Sequence, residues 1–229
     1  GGWAASRIVV LTSHDGGASW TFDGELKTSP FLNISTLVKT PPVRYADGTI
    51  GLPVYREFIA KFGELLRLDA NNRILASARI GSGRTALQPL LLVTGPDTMQ
   101  AFLRPSDSRN SRYVYLSRSD TRGARWAPVH LSDLENPGSA LGGVALSPTH
   151  WLLVANCDRV DRDDLCVRET LDAGVHWQKR WMLQDARQWQ DKRLDRQAFG
   201  DMLRGDLPDD LPAGRDTLLQ HAQDNRCND

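Results

Sequence analysis

The fold is decided by the stretch Ser13-His14-Asp15-Gly16-Gly17-Ala18-Ser19-Trp20, which reads S-x-D-x-G-x-x-W. Asp15 is placed to accept hydrogen bonds from the backbone N–H groups of its own turn, as turn aspartates do. Gly17 can adopt a positive φ where the chain reverses. We expect Trp20 to return to the core as the first residue of the next strand. The pattern therefore predicts a hairpin turn with its own hydrogen bonds.

The same pattern recurs twice further along the chain. Residues 170–177 fit it with Thr in place of Ser, and residues 119–126 fit it except that Asp120 stands one place early. The three tryptophans, Trp20, Trp126 and Trp177, are 106 and 51 residues apart, so the first gap is about twice the second. A repeat of roughly 50 residues, with one turn that has lost the pattern, indicates the blades of a β-propeller.

These turns resemble the Asp-boxes of the sialidase (neuraminidase) superfamily. Residues 1 to about 183 resemble the bacterial "predicted neuraminidase" group of BNR-repeat proteins. The resemblance implies an all-β fold, a sialidase-type β-propeller of four-stranded blades. The full family fold has six blades, of which about four are expected here. It also implies that the boxes are structural, since in this superfamily they lie on blade turns away from the active face.

The domain organisation changes after residue 183. Residues 1–183 are predicted to form the partial propeller. Apolar residues between positions 186 and 204 recur at helical spacing, and two prolines at 208 and 212 then interrupt that pattern. We therefore predict a helical or irregular insertion at 184–226 and the start of a following blade at 227–229. The resemblance places the general-acid loop in a blade before Gly1 and the tyrosine nucleophile in a blade after Asp229.

Composition excludes several classes of partner. The formal net charge is zero, with 28 basic and 28 acidic residues, and no basic stripe predicts nucleic-acid binding. The sequence contains no run of 18 apolar residues, so no membrane span is predicted. It also contains no residues at the spacing of a metal-binding motif, so no metal or other cofactor is predicted. Only five of the basic residues are Lys and 23 are Arg. This excess suits carboxylate binding, because the guanidinium fork grips two oxygens at once, and biased genome composition is the alternative explanation.

The cysteine count bears on redox state and compartment. Three cysteines, an odd number, fit no disulfide framework, so free thiols are expected. Cys157 and Cys166 flank a predicted hairpin tip, and a bond between them is the open alternative. A periplasmic or secreted location is favoured if a signal segment precedes Gly1.

The resemblance also supplies candidate site residues. Residues 38–54 are similar to the segment that carries the first arginine of the family's carboxylate triad, but Lys39 stands at the arginine position, and a lysine cannot make the bidentate grip. Tyr55 and Glu57 follow, at the start of a loop predicted to cross the propeller face, and are the candidate catalytic pair. The candidate substrate-binding residues, all on segments that resemble the group's central funnel, are Lys39, Gln88, Arg104, Asn136, Asn156 and Arg162. Salt-bridged loop residues are the alternative interpretation of Arg104 and Arg162.

Three functions remain open at this point. The first is a sialidase-like exo-glycoside hydrolase that acts on an acidic sugar, sialic acid or a relative, at glycan ends, with Tyr-and-Glu nucleophile chemistry instead of two carboxylates. The second is a non-catalytic propeller that binds a glycan or a protein, which Lys39 favours. The third is a lyase, or a hydrolase for a different uronic acid, on the same fold. Open blade edges would favour oligomers.

Overall fold

The computed structural model describes residues 5–29, 33–58, 60–81, 85–106, 112–158, 160 and 162–185. Nearly all of the predicted insertion at 184–226 and the segment at 227–229 lie outside these residues. All described strands belong to one compact unit that ends at Gln184.

The first part of the chain forms a hairpin and a sheet. The hairpin consists of β1 (Val9–Thr12) and β2 (Thr21–Glu25). The first sheet has the order β3-β5-β6-β7, with the short β4 also paired to β5. Its strands are β3 (Thr36–Val38), β4 (Val43–Arg44), β5 (Ile50–Glu57), β6 (Lys61–Leu68) and β7 (Ile74–Arg79).

Two four-stranded sheets follow. The second sheet, in the order β11-β10-β9-β8, consists of β8 (Ala86–Val93), β9 (Met99–Pro105), β10 (Tyr113–Ser119) and β11 (His130–Glu135). The third sheet, in the order β12-β13-β14-β15, consists of β12 (Gly142–Ala145), β13 (Trp151–Ala155), β14 (Leu165–Thr170) and β15 (Gln178–Gln184). Neighbouring strands pair antiparallel in chain order, as in a blade. The predicted all-β propeller of four-stranded blades is thus confirmed.

Antiparallel order sorts the connections onto two ends of the sheets. The turns that carry the S-x-D-x-G-x-x-W pattern, residues 13–20, 119–126 and 170–177, lie at one end, which we call the box end. The connections after β5, β7, β9, β11 and β13 lie at the opposite end, which we call the upper end. Every candidate catalytic residue lies on a strand terminus or loop of the upper end.

Apolar side chains join the sheets in pairs. Phe102 of the second sheet meets the indoles of Trp151 and Trp177 edge-on, with ring centroids 6.2 and 6.0 Å apart. Leu65 of the first sheet packs with Leu103 of the second in a separate cluster. Such edge-to-face contacts contribute about 0.5–1.5 kcal/mol each beyond the burial of their area. The sheets are therefore held face to face by buried side chains.

The hydrogen bonds of the box turns explain the repeated pattern. In the first turn, the Gly17 N–H donates to Ser13 Oγ at 2.8 Å and the Ser19 N–H donates to Asp15 Oδ1 at 2.9 Å. The Trp20 indole donates to the Gly17 carbonyl at 3.1 Å, and Gly17 has a φ of +96°. The third turn repeats these bonds at 3.0, 2.9 and 3.1 Å, through Thr170, Asp172, Gly174, His176 and Trp177.

The second turn replaces the aspartate by a threonine. Thr121 Oγ1 accepts the hydrogen bond from the Arg125 N–H at 2.9 Å, and Ser119 Oγ accepts from the Gly123 N–H at 2.9 Å. Asp120 is exposed and stands outside this pattern. The turn is therefore in register with the other two, with a hydroxyl where they have a carboxylate.

Two local predictions are corrected by the structure. Trp20 is 62% exposed and precedes β2, because its indole folds back onto its own turn instead of entering the core. The residues after Arg56 do not form a long crossing loop, since β5 continues to Glu57 and β6 begins at Lys61. Leu65, Leu66 and Leu68 need this strand to reach the buried core.

Candidate functional site

The topology brings four of the candidate residues together at the upper end. Tyr55 and Glu57 lie at the end of β5, Gln88 lies near the start of β8, and Arg104 lies near the end of β9. Because β8 and β9 are neighbours in the second sheet and β5 packs against β8, these termini meet. We call this group, with Arg162 added below, the upper cluster.

Arg104 is the centre of the upper cluster. Its Nε donates to Gln88 Oε1 at 2.8 Å, its Nη1 donates to the Gly138 carbonyl at 3.2 Å, and its Nη2 lies 3.5 Å from Glu57 Oε1. The side chain is only 17% exposed. Burial lowers the pKa of the Arg104 guanidinium, the Glu57 carboxylate raises it again, and the guanidinium remains charged.

A second arginine reaches the same carbonyl. The Arg162 Nη2 donates to the Gly138 carbonyl at 3.2 Å. The charge of Arg162 also lowers the pKa of Arg104, which places the two guanidiniums within electrostatic reach of each other. A guanidinium carries five N–H donors, and neither arginine uses all of them in these contacts. The pair is therefore able to bind an anion such as a carboxylate.

Asn136 shapes the loop that carries this carbonyl. Its side chain is fully buried, and its Oδ1 accepts hydrogen bonds from the N–H groups of Gly138 and Ser139, both at 2.8 Å. Gly138 has a φ of +86°, which a glycine adopts at little cost. Asn136 therefore contributes to the upper cluster through the backbone that it orders.

Asn156 and a disulfide hold the loop that carries Arg162. The Asn156 amide donates to the Asp164 carbonyl at 2.6 Å. Cys157 and Cys166 form a disulfide with their Cα atoms 5.9 Å apart. The prediction of free thiols is wrong for Cys157 and Cys166, because the pairing of Ala155 with Cys166 across β13 and β14 brings Cys157 within reach of its partner. Cys227 lies outside the described residues.

Lys39 stands apart from the upper cluster. It follows β3, its side chain is exposed, and none of the hydrogen bonds of the cluster described above includes it. The next residue, Thr40, is buried and donates to the Pro89 carbonyl at 2.6 Å. The structure thus brings Tyr55, Glu57, Gln88, Arg104 and Arg162 together, directly or through Gly138, and leaves Lys39 outside their contacts.

Sequence reasoning missed two features of the upper cluster. The Gly138 carbonyl that joins the arginines is a backbone group, and the sequence analysis pointed to it only through Asn136, two residues earlier. Glu57 has a charged partner in Arg104, which lies 47 residues away in the chain. No group of three or more His, Cys, Asp or Glu side chains placed to hold a metal ion occurs among the residues that the structure describes.

A family model identifies the repeat. The model described as "BNR repeat-like domain" matches residues 1–201, which is most of the chain. The chain belongs to this family. The match agrees with the three box turns, each of which joins two neighbouring antiparallel strands. Comparison with the curated proteins finds no match.

Solved structures with this fold include several glycosidases. The BNR repeat-like domain is similar to the NanB sialidase from Streptococcus pneumoniae, with a TM-score of 0.64 and 14% identity over 79% of this chain and 29% of that one. A leech intramolecular trans-sialidase has a TM-score of 0.59 and 15% identity, over 79% of this chain and 30% of that one. An α-L-arabinanase from Penicillium chrysogenum has a TM-score of 0.53 and 15% identity, over 76% of this chain and 59% of that one. The fold is therefore that of a glycoside hydrolase-like propeller, and this chain spans less than two thirds of each of these neighbours.

In the part of the chain that the structure describes, there is no helix with the length and hydropathy that a membrane crossing requires.

Proposed function

We propose that this BNR repeat-like domain belongs to a sialidase-like exo-glycoside hydrolase that acts on an acidic sugar, sialic acid or a close relative, at the ends of glycans. The observation that carries the proposal is the convergence of Arg104 and Arg162 on the Gly138 carbonyl, beside Glu57 and Tyr55. Two guanidiniums that meet at one point match the two oxygens of a sugar carboxylate. The sialidases with a similar fold support the same substrate class.

The roles of the residues follow from their positions. Arg104, fixed by Gln88, presents a guanidinium whose orientation is set before any ligand arrives. Arg162, on the disulfide-linked loop, supplies the second positive charge. Of the candidate catalytic pair, Glu57 would be the partner base of the family's tyrosine nucleophile. Tyr55, next to it, would form a wall of the sugar subsite beside these charges.

A second function is favoured by Lys39. The first triad position of the sialidase resemblance carries Lys39 here, and it lies outside the contacts of the upper cluster. A propeller that binds an acidic glycan through Arg104 and Arg162 without cleaving it fits this arrangement. The two functions share the arginine pair and differ only in turnover.

The test measures binding and hydrolysis separately. Calorimetry with N-acetylneuraminic acid and release of the fluorophore from a fluorogenic α-sialoside are measured for the 229-residue chain and for the longest natural chain that contains it. Arg104→Ala and Arg162→Ala are expected to weaken binding by about 10- to 100-fold, since each removes hydrogen bonds between charged groups. Arg125→Ala, an exposed arginine at the box end, is the matched control and is expected to bind like the wild type.

Each outcome decides between the candidates. Binding that depends on both arginines, with hydrolysis by the longer chain, supports the hydrolase. Binding with the same dependence and no hydrolysis by either chain supports the non-catalytic propeller. Binding that is absent, or indifferent to both arginine substitutions, contradicts the acidic-sugar site altogether.

A further inference from the structure

Gln88 has a backbone conformation that is unusual for a residue within a β-strand. Its φ is +51°, in the left-handed region, and the pairing of β8 with β9 shifts register between Leu87 and Leu90. A side-chain-bearing residue in this region costs about 1–2 kcal/mol. Backbone strain of this kind persists where the surroundings impose it, and β-bulges of this kind re-aim a side chain.

The surroundings that impose the bulge come from the first sheet. The buried Thr40 hydroxyl donates to the carbonyl of Pro89, the residue after Gln88, at 2.6 Å. Pro89 is itself fully buried. The hydrogen bond from Thr40 therefore holds the backbone next to the strained residue in place. In this conformation the Gln88 side-chain amide lies between Arg104 and Tyr55.

The hydrogen bonds of this amide have only one consistent direction. The Arg104 Nε carries a proton and cannot accept, so it must face the oxygen of the Gln88 amide, as it does at 2.8 Å. The amide nitrogen then faces Tyr55, and it donates to the phenolic oxygen at 3.2 Å. The Tyr55 oxygen is therefore an acceptor in this bond, and its own proton is left for another partner.

No other partner for the Tyr55 hydroxyl occurs among the hydrogen bonds described for the residues above, although the side chain is only 6% exposed. The positive charge of Arg104 polarises the amide, and hydrogen bonds linked in a chain strengthen one another. The last group in the chain is the O–H of Tyr55, which becomes a stronger donor as a result.

We infer that Gln88 is a positioning residue that directs the chain Arg104, Gln88, Tyr55 so that the Tyr55 hydroxyl donates its proton to an acceptor oxygen of the bound ligand. The inference rests on the proposed function for the identity of that ligand, an acidic sugar, and the direction of the chain does not depend on it. The Tyr55 hydroxyl would then donate a hydrogen bond to an oxygen of the sugar while Arg104 binds the carboxylate of the same sugar.

The test reverses the chain with a residue of the same shape. In Gln88→Glu both terminal atoms are acceptors, so the carboxylate accepts from Arg104 and from the Tyr55 hydroxyl, and the phenol proton is no longer free. Gln88→Met keeps the length and removes both bonds. Tyrosine labelled with ¹³C at Cζ gives one resonance per residue in the full chain, and Tyr55→Phe assigns the Tyr55 signal.

We expect the Tyr55 Cζ resonance of Gln88→Glu to move downfield of the wild type, toward a phenolate, because the hydroxyl now donates to a carboxylate. Gln88→Met removes the bond donated to the phenolic oxygen, so we expect it to change the Tyr55 signal without this downfield movement. This variant tests the inference if the glutamate variant does not fold. A Tyr55 signal that is the same in all folded versions overturns the inference, whether or not any sugar binds.

The ligand arm uses a double-mutant cycle with N-acetylneuraminic acid. Tyr55→Phe is expected to weaken binding by about 5- to 10-fold in the wild-type background, the effect of one hydrogen bond, and to have no effect in Gln88→Glu. Because the comparison is made within each background, the added negative charge cancels. Equal Tyr55→Phe effects in both backgrounds overturn the inference while the proposed function stands. Absence of sugar binding to the wild type overturns the proposed function and leaves the NMR result to decide the direction of the chain.

Discussion

The shape of the guanidinium, and not only its charge, should decide the contribution of Arg104. Arg104→Lys keeps the positive charge and loses the bond from Nε to Gln88, whereas Arg162→Lys loses a single contact to the Gly138 carbonyl that an ammonium can replace. We expect Arg104→Lys to weaken acidic-sugar binding by about 10-fold or more and Arg162→Lys to weaken it by less. Calorimetry on the two variants checks this order, and equal losses would show that only charge matters at this site.

The box-turn glycines separate backbone conformation from packing. Gly17 and Gly123 have φ values of +96° and +81°, but a Cβ added to Gly17 has only Trp20 in ordinary contact, and one added to Gly123 would collide with Leu65. Gly17→Ala should therefore cost about 1–2 kcal/mol, the left-handed penalty alone. Gly123→Ala should cost a further 1–3 kcal/mol, roughly, from overpacking. Denaturant unfolding of both variants measures the difference, and equal losses would mean that Leu65 moves aside freely.

At the scale of single turns, the aspartates of the box turns should make the protein sensitive to acid. Hydrogen bonds from the His176 backbone and side chain, and then from Thr170, hold the pKa of the Asp172 carboxyl well below its usual range. A folded-state pKa below the unfolded value means stability that is complete above about pH 4 and is lost as the pH falls toward the folded value.

Asp172→Asn keeps an oxygen for the His176 N–H and removes the titrating charge. We therefore expect the unfolding free energy of this variant to fall less steeply than that of the wild type as the pH drops below about 4. Asp120→Asn is the control, because Thr121 occupies the aspartate position of its turn. An unchanged acid slope in Asp172→Asn would contradict the role of the carboxylate.

The connection between β13 and β14 depends on its disulfide. The bond between Cys157 and Cys166 closes a loop with a sequence separation of 9, for which chain entropy gives a stabilisation of about 2–3 kcal/mol. A double Cys157→Ala, Cys166→Ala variant should lose about this much stability and should bind acidic sugars more weakly, since Arg162 lies on the loop. Unfolding with and without reductant measures the first effect, and reductant should leave the double variant unchanged.

The sequence predicted elements better than contacts, for a physical reason. Alternating strands and box turns are local, so the pattern around Asp15 and Asp172 determines both turn conformation and blade spacing. The second turn was predicted only as an imperfect copy, because Thr121 makes the hydrogen bond that the pattern assigns to an aspartate. The contact of Arg104 with the Gly138 carbonyl and its pairing with Glu57 could not be predicted from local sequence patterns. Both contacts depend on how strand ends that are distant in the sequence meet in the fold.

At the scale of the whole molecule, the shared core should make the second and third sheets unfold together. Phe102 is almost fully buried and bridges them through Trp151 and Trp177. Phe102→Ala removes this bridge and should cost about 3–5 kcal/mol, which is a large part of the roughly 5–15 kcal/mol that stabilises a typical domain.

Phe22→Ala is the matched control, because Phe22 is 61% exposed on β2, and its loss should stay within about 0.5 kcal/mol. Amide hydrogen exchange distinguishes a shared core from independent blades. If the sheets form one cooperative unit, Phe102→Ala lowers the protection of β9 and of β13 by the same free energy. If only β9 loses protection, each sheet is stable by itself, and the site at the upper end would then depend on loops such as 136–139 to keep Arg104 and Arg162 together.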